Sequence, residues 1–184
     1  MRGTGVSLNR SIGNITTEQA IADYESFAMF YSRQHRSLVA LAYAASGNRA
    51  WAEDVAHDAL VATYKDWERI QSLSNPDAWV RRILLNQATS AYRRRVAEAK
   101  AISKLGTRSS SSSFREVPDD IDAIWKEVRR LSKRQVQVIT LRYLEDLTFS
   151  EIAEVLGCSK EAVNIHFRRA RRILARRLGI REDQ

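Results

Sequence analysis

The stretch Phe149-Ser-Glu-Ile-Ala-Glu-Val-Leu-Gly-Cys-Ser-Lys-Glu-Ala-Val163 decides how this chain is read. Ala153 is small where two helices must cross closely, Gly157 supplies the left-handed residue that ends the first helix, and Ser159 can cap the second. Val163 then falls where it packs back on Ile152 and Leu156. Together these positions predict a helix-turn-helix. A helical hairpin with no DNA would share the pattern, so the second helix has to discriminate. At about 100° per residue, Val163, Phe167, Ala170 and Leu174 share a buried face, and Glu161, Ile165, Arg168 and Arg172 point the other way.

That outward face suits a major groove. Arginine can bond bidentately to guanine, an aliphatic such as Ile165 can touch a thymine methyl, and Lys160, Arg169 and Arg171 are placed to hold phosphates. With Ser159, Glu161 and Asn164 these form the expected DNA-contacting set, apart from Arg171. The competing reading is a solvated cationic helix end, from Arg168 to Arg177, that complements the helix dipole.

Outward from the motif, Ile121 to Leu131 and Ser132 to Leu144 read as two further helices. Before them, residues 102–121 with the serine run Ser109 to Ser113 read as a flexible linker, and residues 1–17 as a disordered polar tail, because such composition buries too little apolar area to offset chain entropy. The block between, 18–101, holds three helical patterns: Ile21 to Ser46, Arg49 to Ile70, and one opening at Pro76 and running to about Ala99. Strand-like alternation is missing. The expectation is an all-α chain of two small helical domains, 18–101 and 122–180, joined by the linker.

Lys plus Arg number 30 against 22 Asp plus Glu, a formal net charge of +8 in 184 residues, which favours polyanionic partners. One cysteine, Cys158, excludes an intramolecular disulfide and suits a reducing cytosol; in the turn it reads as a small buried residue rather than a redox sensor. No run approaches the ~20 apolar residues of a membrane span, so a cytoplasmic protein with no membrane insertion is expected. Neither a phosphate-binding glycine loop nor a metal-ligand cluster is present: His35, His57 and His166 are far apart in sequence. No catalytic residue, metal or cofactor is expected.

On the third helix, Val80, Leu84, Gln87 and Ala91 are placed on the buried side and Arg82, Asn86, Thr89 and Arg93 form a polar stripe without a carboxylate. Such a stripe could bind backbone phosphates and offer Asn86 to an unstacked base, with Trp79 and Tyr92 as stacking surfaces or as core aromatics. On the second helix, Ala52, Val55, Ala59 and Thr63 point inward, while Asp54, Asp58 and Val61 form an acidic, partly apolar face. That face fits a protein partner or a solvated helix start.

The stretches Ala52-Glu-Asp-Val-Ala-His-Asp-Ala-Leu60, Ala78-Trp-Val-Arg-Arg-Ile-Leu-Leu-Asn86 through Tyr92-Arg-Arg-Arg95, and Leu131-Ser-Lys-Arg-Gln135 with Leu141-Arg-Tyr-Leu-Glu-Asp-Leu-Thr148 resemble regions two and four of bacterial sigma-70 family initiation factors of the extracytoplasmic-function type. The resemblance covers about 150 residues in matching order. It implies a sigma factor that binds core RNA polymerase and directs promoter-specific initiation. Asp54, Asp58 and Val61 would dock the β′ clamp helices, Ser74, Asn75, Arg82, Asn86, Thr89 and Arg93 would engage the minus-ten element, and the helix-turn-helix would read the minus-thirty-five element beside the β flap. It also implies control by a separate anti-sigma factor. Ser90 stands where relatives often carry Asp, and Asn164 and His166 where Lys and Arg are frequent, so promoter sequence does not transfer. The rival reading is a stand-alone helix-turn-helix regulator whose front domain senses a ligand or dimerises.

Overall fold

The computed structural model describes residues 17–104 and 119–180; the tail and most of the expected linker lie outside them. Eight helices and no strand occur among the described residues: α1 (Thr17–Ser46), α2 (Arg49–Lys65), α3 (Trp67–Gln71), α4 (Pro76–Lys104), α5 (Asp119–Arg129), α6 (Lys133–Leu144), α7 (Phe149–Leu156) and α8 (Lys160–Leu178).

Helix α1 buries Phe30, Leu38, Leu41, Ala42 and Ala45 at helical spacing and stops at Gly47, whose φ of 70° is the left-handed conformation that glycine enters without a Cβ penalty. Asn48 turns the chain at once into α2, its Oδ1 accepting the Trp51 N–H at 2.9 Å. The inward face of α2 is Ala52, Val55, Ala56, Ala59, Leu60 and Thr63, and the alanines let α1 and α2 approach closely. The expected single helix 49–70 is broken at Asp66. Beyond the break Trp67 lies across α1, its ring 5.3 Å from Phe27 and 4.9 Å from Phe30, while its Nε1–H donates to Ser26 Oγ at 2.7 Å. Burying the ring and still satisfying its N–H is what redirects the chain.

In the second group, Ser132 opens α6 and its N–H donates to Gln135 Oε1 at 3.0 Å. The α6–α7 turn carries Asp146 at φ 50°, held by Arg142, which bonds the Asp146 carboxylate and the Leu147 carbonyl, each at 3.1 Å. Thr148 and Glu151 close a reciprocal capping box on α7. At its far end Cys158 N–H bonds the Ala153 carbonyl and Gly157 N–H the Glu154 carbonyl, the two bonds of a Schellman motif around Gly157 at φ 61°. Cys158 is half-buried against the core.

The two groups are packed together. Helices α5 and α6 contact α1, α6 and α7 contact α4, and the buried side chains of both groups form one continuous cluster. At some 1.5–3 kcal/mol for each large aliphatic removed from water, residues such as Leu38, Leu84, Ile139 and Leu156 supply most of the stabilisation.

Candidate nucleic-acid interface

Helix α8 carries the clearest surface. Ser159 Oγ accepts the Ala162 N–H at 3.2 Å, and Val163 and Ala170 are buried, with Phe167 and Leu174 packed against the core. The opposite face is open: Ser159, Lys160, Glu161, Asn164, Ile165, Arg168, Arg169 and Arg172 are all exposed. No carboxylate among the described residues pairs with Arg168, Arg169 or Arg172, so their charge is available to phosphates and base edges. Arg171 lies over the Phe167 ring at 6.0 Å. The Glu161 carboxyl is held below its usual range by its own backbone N–H and then by the Ser159 hydroxyl, so it stays ionised as an acceptor. His166 is partly buried, and that burial, followed by Arg134 and Arg169, lowers its pKa and favours the neutral ring.

The stripe on α4 is different. Arg82 and Arg93 are exposed and Asn86 is half-buried, but Thr89 is 2% exposed and its hydroxyl donates to the Leu85 carbonyl. Thr89 is therefore a packing residue and not part of an open surface. Gln87, expected inside, is exposed, and Leu85 and Ala88 are buried. The buried arc runs from Val80 through Leu84 and Ala88 to Leu85 and Thr89, roughly half the circumference at about 100° per residue. It is wider than the sequence pattern suggests because α6 and α7 cover a second flank of α4. Asn86 Oδ1 accepts from the fully buried Gln137 Nε2 at 3.0 Å. Asn75 Oδ1 caps α4 through the Ala78 N–H at 2.9 Å, and Ser74 is exposed. Trp79 is half-buried with the Arg69 guanidinium 5.9 Å from its ring, and Tyr92 lines a cationic cleft with Arg93, Arg130 and Arg177.

Asp54, Asp58 and Val61 are exposed on α2, as is His57. Sequence reasoning missed the continuation of this face: Tyr64, 51% exposed, packs its ring at a tilt against Phe27 with centroids 4.9 Å apart, and Tyr24 on α1 is also exposed. The i, i+3 step from Val61 to Tyr64 was the available signal. Also missed is an apolar groove of about 530 Å³ in the second group, walled by Ile121, Ile124, Trp125, Tyr143, Leu174 and Leu178. Its signal was the surplus of apolar residues on α5, where Ile121 and Ile124 remain exposed although Val128 is buried.

The family described as Sigma-70 region 2 matches residues 30–98, and that described as Sigma-70, region 4 matches residues 121–174. An RNA polymerase sigma-E factor of Streptomyces coelicolor is 30% identical over 119 residues, 65% of this chain and 67% of that protein. The chain belongs to the sigma-70 family. Within it, this sigma factor is of the extracytoplasmic-function type, being also 24% identical over 169 residues to the ECF RNA polymerase sigma factor SigW of Bacillus subtilis, across 85% of this chain and 90% of that one. The sigma factor RpoE of Bartonella quintana, solved in complex with the anti-sigma factor NepR, shares the fold at a TM-score of 0.67 and 24% identity, covering 85% of this chain and 98% of the other. As a sigma factor, the protein directs promoter-specific transcription initiation by RNA polymerase.

Proposed function

We propose that this sigma factor grips its promoter at two places, each with its own helix, and acts without catalysis of its own. The domain of residues 18–101 takes the minus-ten element through Ser74, Asn75, Arg82, Asn86 and Arg93. The domain of residues 122–180 takes the minus-thirty-five element through Ser159, Lys160, Glu161, Asn164, Ile165, Arg168, Arg169 and Arg172. The observation that carries this reading is the exposed arginine row, unpaired among the described residues, on a helix capped at Ser159. Unstacking costs a few kcal/mol per base step, so capturing extruded bases with α4 can bias opening without nucleotide hydrolysis.

Asp54, Asp58 and Val61, extended by Tyr64, form the surface for the β′ clamp helices of core polymerase. The groove beside α5 takes the β flap. On α8 the groove-lining residues Leu174 and Leu178 are turned by about 120° from Arg168 and Arg172, so polymerase and DNA can be held at once. An anti-sigma factor, such as the partner in the solved relative, would act by covering these faces. No helix among the described residues is long and apolar enough to cross a membrane, which supports work in the cytoplasm, where the promoter is.

The test is run-off transcription with purified core polymerase, in which adding the protein should create start-site selectivity. Replacing Asp54→Arg and Asp58→Arg together should abolish binding to core enzyme while circular dichroism stays unchanged. Undiminished binding would remove the docking role.

A further inference from the structure

Two contacts join the second helical group to the face of α4 assigned above to the minus-ten element, and two more clamp the groups together beside it. Gln137, fully buried on α6, donates to Asn86 at 3.0 Å, and its own Oε1 accepts from Arg134 at 3.3 Å. Arg82 reaches over the C-terminal end of α7, where its guanidinium lies within 3.0 Å of the place a Cβ on Gly157 would occupy; the partial negative charge of that helix end favours a cation. Glu145, in the α6–α7 turn, clasps two helices of the front group. It accepts from Arg81 Nη2 at 2.8 Å and Nε at 2.9 Å, and from the Ser37 hydroxyl, with only 14% and 12% of the Arg81 and Glu145 side chains exposed. At the far side Arg129, 7% exposed, sits over the end of α1 at Gly47.

We infer that this is a self-masked state of the sigma factor, in which α6 and the C-terminal end of α7 cover the minus-ten-reading face of α4 and Glu145, in the turn between those two helices, is the latch that holds them there. The inference rests on the α4 assignment made above. Beside the shared apolar cluster, the contact carries polar groups suited to separation. Asn86, Gln137, Arg81 and Glu145 are polar groups that water or nucleic acid can satisfy once the halves part, whereas stranding any one of them buried would carry a penalty. A charged pair on the inside of the contact also makes the closed state sensitive to loss of one partner, since removing a single member of a mostly buried pair leaves the other uncompensated. DNA and polymerase then open the protein by competing for Asn86 and Arg82, and shift the population only as far as they prefer the open form.

The test uses the full chain with spin labels on two exposed positions, Gln87→Cys on α4 and Ser150→Cys on α7, in a Cys158→Ser background, read by pulsed dipolar spectroscopy. The parent should give one short, narrow distance. Glu145→Lys should raise the long-distance population at least about fivefold, and Gln137→Ala should do the same more weakly, with thermal melting showing that both variants remain folded. A broad or long distance in the parent overturns the closed state, and an unchanged short distance in both folded variants overturns the latch. Run-off transcription with core polymerase reads the other layer separately. If neither parent nor variants confer start-site selectivity, the promoter assignment fails, whatever the distances show.

Discussion

Helices α4 and α8 both carry a basic, polar stripe proposed to meet nucleic acid, yet one stripe is open and the other is partly covered by the protein itself. On α8 every residue of the proposed reading face is exposed. On α4 Thr89 is buried, Asn86 is bonded to Gln137, and Arg82 is drawn over the end of α7. A recognition helix is thus made available less by its own composition than by what packs on its flanks.

The sharpest way to break this contrast is to compare arginine and asparagine removals on the isolated protein. Arg168→Ala or Arg172→Ala should weaken binding to a cognate minus-thirty-five duplex by roughly 1–3 kcal/mol each in fluorescence anisotropy, whereas Asn86→Ala should leave it unchanged and act only on promoter opening in the polymerase complex. Equal losses from all three would erase the distinction. A smaller effect concerns the two left-handed glycines that end α7 and α8. A Cβ at Gly157 would meet the Arg82 guanidinium and at Gly179 would meet nothing within 4 Å, although both have positive φ. In urea denaturation Gly179→Ala and Gly157→Ala should each cost about 1–2 kcal/mol for the backbone, because the exposed Arg82 guanidinium can swing aside from a methyl at position 157. A clearly larger cost at Gly157 would mean that Arg82 is held fixed over the end of α7.

Thr89→Ala should cost about 1 kcal/mol of stability and leave minus-ten opening intact once polymerase is bound; a selective loss of opening would restore Thr89 to the reading face. The smallest effect concerns pH. Because the His166 pKa is lowered in the folded chain, the unfolded chain takes up the proton first, so the contribution is complete above the ordinary value of 6.5 and is lost as pH falls below it. Thermal melts of His166→Gln should show a shallower decline on acidification than the parent, and identical slopes would remove the effect.

Much of α8 was legible because the information is local: a capping serine, a left-handed glycine and a 3.6-residue period all lie within a few turns. The same holds for the inward alanines of α2. The break at Asp66 was not legible, since it depends on where α1 leaves room for Trp67. Nor was the burial of Thr89 and Leu85. Seen from α4 alone, Thr89 belongs with Arg82, Asn86 and Arg93, and only the arrival of α6 and α7 from beyond the serine-rich segment places it inside. Residues whose surroundings come from remote sequence are where a periodicity argument loses its grip.

The two arginines that reach between the halves imply a rule of inheritance. Each sits where its opposite number has only a hydrogen for a side chain, so position 82 is tied to position 157, and position 129 to position 47. Among descendants of this gene, a bulkier residue at either glycine should appear together with a shorter one at its arginine, and the pairs should drift in step even though they lie 75 positions apart in one case and 82 in the other.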